Sequence, residues 1–231
     1  MVKGQPDYQG VVGRQEVTTR QNLLFPGGRA ILIDDFSSPA EAFRDVIVGA
    51  GQINLQIGYP FTAPACAYML SGAVIGNYSM IYYETGLPRT EQVGVECAFA
   101  MQTGAGTRFY IEVRTYDLTN LNTAEVYFSY DNNSWYYLNA AGGSTMIPNS
   151  TRGLRVGLST YHRVKLIVDF ANAEYMFLYV DDRVYDLRGI AVNQAASAIF
   201  THIRVVYGVY SETAVIHVVR IDNVSITEEE L

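Results

Sequence analysis

The side chains with the widest chemical repertoire are few in this chain, and they are scattered along it. His162, His202 and His217 fall on separate predicted strands, whereas a metal site needs several ligands that converge on one point. No G-x-S-x-G nucleophile elbow occurs, so no activated serine is indicated. We therefore predict no catalytic residue, no bound metal and no cofactor, and structural or surface roles for the histidines.

The cysteines and the acidic turns also have ordinary structural explanations. Cys66 and Cys97 form no CxxC pair and lie in apolar, strand-like surroundings, which favours buried free thiols, with a disulfide as the alternative. Asp181 and Asp182, and residues 131–133 (DNN), carry the hard oxygen ligands that calcium prefers. Both segments are also typical hairpin turns, because Asp and Asn tolerate positive φ. We assign no metal to either.

Aromatic residues are the one enrichment that has a functional interpretation. Adjacent residues of a strand point to opposite faces, so one of each neighbouring pair faces outward when the other is in the core. Three roles are open for them: cross-strand packing, anchoring of a subunit interface, or stacking on sugar rings. The candidates are Tyr82, Tyr83, Trp135, Tyr136, Tyr137, Tyr207 and Tyr210.

Long stretches of alternating apolar and polar residues must position these side chains. In residues 161–170, Val164, Leu166 and Val168 point to one face, and residues 174–182 repeat the pattern with Met176, Leu178 and Val180. We also predict strands at 52–57, 66–70, 73–84, 93–102, 107–116, 123–130 and 134–139. Short helices are predicted at 38–44, where Ser precedes Pro, and at 193–198.

About a dozen strands exceed what one open sheet holds comfortably, and two stacked sheets solve the problem. The predicted fold class is therefore all-β, a two-sheet antiparallel jelly-roll sandwich. We predict one such domain over residues 29–231, preceded by an extended arm over residues 1–28. The arm is expected to bury apolar anchors against neighbouring subunits; these are Val11, Val12, Val17, Leu23, Leu24 and Phe25.

Composition narrows the partners. Over 231 residues the formal net charge is −7, which argues against a nucleic-acid binder that would need clustered Lys and Arg. No apolar run is long enough to cross a bilayer, and no signal-peptide pattern occurs. We expect no nucleic acid and no membrane among the partners, and a soluble protein.

Four segments resemble the concanavalin A-like lectin and glucanase superfamily, including its laminin-G-like modules: residues 32–36 (LIDDF), 161–170 (YHRVKLIVDF), 177–182 (FLYVDD) and 219–226 (VRIDNVSI). The resemblance implies a jelly-roll fold. Glycosidases of that superfamily carry Glu-x-Asp-x-x-Glu on one strand, where paired carboxylates do the chemistry. Here Glu96 stands alone, and Glu112 and Asp117 are five residues apart, which places them on opposite faces of an unbroken strand. The chain is therefore not expected to be an enzyme.

Residues 2–8 (VKGQPDY) also resemble openings of some tailed-phage structural proteins. The leading hypothesis is a non-catalytic structural or adhesive subunit of a larger assembly. This would be a virion protein such as a capsid decoration or tail component, with other subunits, including copies of itself, as partners. The alternative is a carbohydrate-binding, lectin-like module with Trp135, Tyr136 or Tyr137 as its stacking platform. A third hypothesis, an unusual glycosidase, predicts two carboxylates that face each other in a cleft.

Overall fold

The fold consists of β-strands. A computed structural model describes residues 29–34, 36, 43–56, 60–61, 65–86, 92–102, 104–151 and 154–228, and these contain sixteen strands and no helix. The strands are β1 (Arg29–Asp34), β2 (Arg44–Val48), β3 (Gln52–Gln56), β4 (Cys66–Leu70), β5 (Tyr78–Thr85), β6 (Gln92–Met101), β7 (Thr107–Tyr116), β8 (Asn120–Ser129), β9 (Ser134–Leu138), β10 (Ser144–Met146), β11 (His162–Asp169), β12 (Glu174–Val180), β13 (Arg183–Ala191), β14 (Asn193–Ala196), β15 (His202–Ser211) and β16 (Val218–Glu228). The all-β prediction is confirmed.

The strands form two antiparallel sheets of eight strands each within the described residues. Sheet A has the order β13-β12-β11-β6-β16-β4-β3, with β1 also paired to β16. Sheet B has the order β10-β9-β8-β7-β15-β5-β2, with β14 also paired to β8. Two sheets packed face to face bury the apolar side of each strand. The result is the predicted jelly-roll sandwich.

The core lies between the inner faces of the two sheets. Val164, Leu166 and Val168 of β11 are fully buried there, as the alternation predicts. Phe99 of sheet A stacks on Phe109 of sheet B with ring centroids 4.1 Å apart. Stacked and edge-on rings add attraction beyond the area that they bury, so aromatic contacts join the two sheets at the centre.

The β11–β12 hairpin departs from the predicted alternation at one residue. The register of β11 with β12 shifts between Ile167 and Val168, and β12 shifts against β13 between Tyr175 and Phe177. Such bulges move the following side chains to the other face. Tyr175 consequently occupies the core, while Met176 packs against the buried pair Ile167 and Tyr179 on the other side of the sheet.

The helix prediction at 193–198 is wrong. Asn193–Ala196 forms β14, which pairs antiparallel with residues 120–123 of β8. Alanine favours helix, but over so short a segment this preference is weak, and pairing with an available strand edge overrides it. In the predicted helix at 38–44, residues 38–42 lie outside the described part, and Arg44 already begins β2.

Turn predictions agree with the backbone. The chain reverses at residues 130–133 between β8 and β9, where Asn133 has φ 49°. It reverses again between β12 and β13, where Asp181 has φ 53°. Both residue types tolerate this left-handed region because their short polar side chains hydrogen-bond locally.

The two outer faces of the sandwich differ in accessibility. On sheet A the outward side chains at the centre are closed to solvent, among them Ala98, Ala100 and Lys165. On sheet B the outward side chains of the central strands line an open groove. Sheet B therefore offers the accessible surface on which a ligand can lie.

Among the described residues, no helix is long and apolar enough to cross a bilayer.

Candidate functional site

We call the depression on the outer face of sheet B the sheet B groove. It has a volume of about 600 Å³ and crosses five adjacent strands, β8, β7, β15, β5 and β2. Because side chains alternate between faces, every second residue of each strand contributes to it. Its lining is Val46, Tyr78, Met80, Tyr82, Arg108, Tyr110, Glu112, Arg114, Glu125, Tyr127, Arg204, Val206 and Tyr210.

A stack of rings and a guanidinium runs across the strands on one side of the groove. The Arg108 guanidinium lies 4.5 Å from the ring centroid of Tyr127 and 5.8 Å from that of Tyr210. Tyr127 in turn stacks on Tyr136, with centroids 5.0 Å apart and planes 5° apart. Arg108 also forms an ion pair with Glu212. Cation–π contacts and this ion pair hold the rings in fixed positions, so the surface is pre-organised.

On the opposite side of the groove, a second ion-paired arginine lies over a second tyrosine ring. The Arg204 guanidinium lies 5.1 Å from the centroid of the Tyr82 ring. Its Nε donates a hydrogen bond of 2.8 Å to Glu84 Oε1. Two tyrosine rings, Tyr82 and Tyr210, therefore face the groove from β5 and β15, each beside an arginine that is itself ion-paired.

Strand register places two acidic residues together on the groove floor. Glu112 of β7 and Glu125 of β8 are direct cross-strand partners. Directly opposed residues in an antiparallel pair have Cβ atoms about 4.5–5.5 Å apart. Arg114 forms an ion pair with Glu112: the Arg114 Nη2 donates a 2.8 Å hydrogen bond to Glu112 Oε2, and the Arg114 Nε lies 2.6 Å from Glu112 Oε1. Glu125 is half-buried and faces the groove beside this ion pair.

The surroundings of Glu125 disfavour its charged form. Burial, followed by the nearby negative charge of Glu112, raises the pKa of Glu125 to about 7, although Arg108 and Arg114 oppose the change. A carboxyl group with a like charge beside it and little solvent retains its proton to higher pH. The groove floor therefore combines an ion-paired glutamate with one that titrates near neutrality.

Gly208 makes room for a tyrosine ring in the middle of the groove. It lies opposite Tyr110 in the β15–β7 register, and a Cβ atom added to Gly208 would come within 2.2 Å of Tyr110 Cζ. The ring thus lies against the bare glycine backbone. Burial, followed by Glu112 and Glu125, raises the pKa of the Tyr110 hydroxyl, which keeps it protonated as a hydrogen-bond donor.

The predicted aromatic candidates divide between the two faces. Tyr82 and Tyr210 line the groove, and Tyr136 extends its ring stack. Tyr83, Trp135 and Tyr207 are at most 1% exposed and belong to the core. Tyr137 is half-buried and packs its ring edge-on against Tyr175. The side chains of Trp135 and Tyr137 both point toward the interior, so neither ring is placed to stack on a sugar at the surface.

The remaining predicted polar residues have structural contacts. His162 Nδ1 lies 2.7 Å from Asp181 Oδ2, and Asp181 Oδ1 accepts a hydrogen bond from the Arg163 backbone N–H. His217 Nδ1 lies 2.6 Å from the Thr107 hydroxyl. Asp131 accepts from the Gly106 backbone N–H at 2.9 Å. These contacts hold the carboxylates of Asp131 and Asp181 within their turns.

Both cysteines are buried free thiols, as expected. Burial raises the pKa of Cys66 and, more strongly, that of Cys97. A thiol that stays protonated is a poor nucleophile, so these shifts disfavour the reactive thiolate form of both cysteines.

Several groove residues were not predicted from the sequence as site residues. Tyr78, Tyr110, Tyr127, Arg108, Arg114, Arg204 and Glu125 line the site, and Glu112 was considered only with Asp117. The signal was present as alternation: residues 108, 110, 112 and 114 are Arg, Tyr, Glu and Arg between apolar neighbours. A strand with one apolar face and one face of Tyr, Arg and Glu is a candidate ligand surface. The spacing of carboxylates along one strand does not indicate the Glu112–Glu125 pair, because its two residues lie on two neighbouring strands.

Comparison with solved structures agrees with this architecture. The chain is similar to Cellulose induced protein, Cip1, at 14% identity with a TM-score of 0.64, covering 87% of this chain and 98% of that one. It is similar to an endo-β-1,4-glucuronan lyase from the fungus Trichoderma reesei at 12% identity with a TM-score of 0.65, covering 86% and 95%. The chain has a jelly-roll fold. A carbohydrate esterase from Shiga toxin-encoding bacteriophage phi24B gives 12% identity, a TM-score of 0.59 and coverages of 87% and 98%.

No protein-family profile and no curated protein matches the sequence. The six arm residues predicted to anchor an assembly lie outside the described residues. The arm, the oligomer and the virion location remain predictions.

Proposed function

We propose that this protein is a carbohydrate-binding module whose ligand lies in the sheet B groove. The observation that carries the proposal is the open groove with tyrosine rings on its walls and ion-paired Arg and Glu side chains between them. Flat rings stack on the apolar faces of sugars, while fixed charged groups hydrogen-bond to the hydroxyls. The accessible sheet face and the arrangement of its side chains both support this function over the leading expectation of an assembly subunit.

The similar structures are consistent with this proposal. They include a protein described as cellulose-induced, a glucuronan lyase and a carbohydrate esterase. Each is only 12–14% identical to this chain, so the likeness concerns the fold. The groove itself is therefore the feature that supports a glycan ligand.

A glycan array tests the proposal directly. The native protein is expected to bind at least one class of oligosaccharide, and Tyr82→Ala and Tyr210→Ala are each expected to weaken binding about tenfold, which corresponds to roughly 1.4 kcal/mol. Phe200→Ala is the matched control, because Phe200 is 85% exposed and lies outside the groove lining. If no glycan is retained, or if the three variants weaken binding equally, the groove is not a sugar site.

A second candidate function, glycoside hydrolysis, is favoured by the Glu112–Glu125 pair. A carboxyl group that keeps its proton can serve as the acid while a neighbouring ion-paired carboxylate takes the complementary role. Cross-strand partners lie at the close spacing of a retaining pair. The Glu125 carboxyl would donate its proton to the glycosidic oxygen while the Glu112 carboxylate attacks the anomeric carbon and the bond to the leaving sugar breaks. Water would then displace Glu112 from the sugar and give a proton back to Glu125, with one water consumed per bond broken.

Hydrolysis predicts new reducing ends when the protein is incubated with the oligosaccharides that it binds. Glu125→Gln should abolish their release while binding is retained, because the amide keeps the shape of the carboxyl but has no acidic proton to donate. Glu174→Gln on β12 is a control outside the groove lining. Absence of release from the native protein would contradict hydrolysis, and release that is unchanged in Glu125→Gln would exclude the Glu112–Glu125 pair as its source.

A further inference from the structure

The Glu112–Glu125 pair has a consequence for binding that does not require catalysis. The two residues are direct partners across β7 and β8, and both side chains face the groove. Like charges directly opposite each other across a pair of strands are destabilising. A proton retained by Glu125 relieves that repulsion.

The charged groups around Glu125 are already engaged with other partners. Arg114 is held by Glu112, and Arg108 is held by Glu212 and by the rings of Tyr127 and Tyr210. On the inner side, the Tyr175 hydroxyl of β12 accepts a hydrogen bond from the Glu125 backbone N–H and lies within donor distance of the carbonyl oxygens of Leu138 and Glu125. The titratable and charged groups that face the Glu125 side chain are therefore Glu112, Arg108, Arg114, Tyr110 and Tyr127.

A ligand seated on this floor would make ionisation of Glu125 still less favourable. Displacing water from a half-buried carboxyl group disfavours its charged form. The protonated carboxyl has an O–H donor for a ring or hydroxyl oxygen, whereas the ionised form only accepts hydrogen bonds. A neutral sugar therefore favours the proton through desolvation, and an anionic sugar favours it further through charge.

We propose that glycan binding in the sheet B groove is coupled to uptake of a proton by Glu125 beside its cross-strand partner Glu112, so that the ligand is held against a protonated carboxyl group. The proposal rests on the proposed carbohydrate-binding function. It assigns to Glu125 the role of a specificity-determining residue, one that sets both the pH range of binding and the tolerance for negatively charged sugars. The titration of Glu125 near neutrality supports it.

The sign of the effect follows from linkage. Binding that raises the pKa of a carboxyl group is tightest below the pKa of the free protein and weakens as pH rises through it. Each pKa unit added by the ligand gives about a tenfold difference in affinity between the two limits. Affinity is thus expected to fall about tenfold from pH 5.5 to pH 9 for a neutral sugar, and by a larger factor for an anionic one.

Two measurements test the coupling separately from the function. The first needs no ligand: carboxyl carbons of ¹³C-glutamate-labelled protein are followed by NMR as pH is changed. One signal is expected to titrate near pH 7, to vanish in Glu125→Gln and to shift to lower pH in Glu112→Gln. Glu174→Gln should leave it in place. Titration of Glu125 below pH 5 would overturn the proposal whether or not any sugar binds.

The second measurement is calorimetric titration with cellohexaose and with a hexamer of β-1,4-linked glucuronic acid, at several pH values and in two buffers with different ionisation heats. Native protein is expected to take up a proton at pH 7 and to bind more weakly at pH 9. Glu125→Gln mimics the protonated acid, so its affinity should be independent of pH and should equal or exceed that of the native protein at pH 9. A merely structural role for Glu125 predicts weaker binding at every pH.

The outcomes distinguish the two proposals. Binding without proton uptake overturns the coupling and leaves the carbohydrate-binding function standing. A signal that titrates near pH 7 without binding of either probe, and without any hit on the glycan array, rejects the function and the coupled binding together. It would still show that Glu125 titrates near neutrality.

Discussion

Replacing Trp135 with alanine is expected to lower the free energy of unfolding by about 3–5 kcal/mol, the usual cost of truncating a large buried aromatic side chain. The Trp135 ring is 1% exposed and packs edge-on against Phe99 and Phe109, with centroid distances of 6.0 and 6.4 Å. These two rings belong to opposite sheets. The truncation would open a cavity where the sheets meet, and stability would fall as contacts are lost on both sides.

Chemical denaturation of the native and variant proteins measures this effect. The adjacent Tyr136→Ala is the matched control: its ring lies on the outer face against Tyr127, and the expected cost is about 1 kcal/mol or less because little core volume is lost. Glycan binding should show the opposite order, with Tyr136→Ala the more harmful of the two folded variants. Equal stability costs, or a larger cost for Tyr136→Ala, would contradict the assignment of Trp135 to the core.

Gly208→Ala is the second large expected effect. Alanine has a Cβ atom that would meet the Tyr110 ring at 2.2 Å, so the ring must leave its place on the groove floor. Overpacking of this kind costs about 1–3 kcal/mol. Elsewhere in a strand the same exchange is expected to stabilise by roughly 0.5–1 kcal/mol, because glycine loses more backbone freedom on folding.

A double-mutant cycle isolates the contact. In the Tyr110→Ala background the space beside Gly208 is empty, so Gly208→Ala should become neutral or stabilising. Denaturation curves for the four proteins give the coupling energy, and glycan binding shows whether the position of the Tyr110 ring matters to the ligand. If Gly208→Ala costs the same in both backgrounds, the glycine is needed for a reason other than the ring.

The site could be predicted from the sequence only in part. Alternation correctly indicated that one of Tyr82 and Tyr83 faces outward, since the side chains of a strand point to opposite faces in turn. It could not say which one, because that depends on which face of β5 packs against the other sheet. The same uncertainty placed Trp135, the sole tryptophan, among the surface candidates, although its ring joins the two sheets.

Strand pairing is where local patterns stop being informative. The segment Asn193–Ala196 has little preference of its own, and its pairing with β8 makes it a strand. Glu112 and Asp117 were compared because they are close in sequence. The partner that the fold supplies is Glu125, thirteen positions further along the chain from Glu112 and on the neighbouring strand. The hydrogen-bond register between β7 and β8 decides this contact, and register is set by the whole buried face of both strands.

Periodicity and turn residues alone determined the class of fold. In a strand with one buried face, apolar and polar residues alternate along the sequence, because successive side chains point to opposite faces. Asn133 and Asp181 marked two reversals of the chain for an equally local reason, the backbone angles that their side chains tolerate. Only the tertiary structure decided that one outer face is closed and the other open. It also brought the tyrosines, arginines and two glutamates of five strands into a single groove. Those positions depend on contacts between residues far apart in the chain, which no short stretch of sequence specifies.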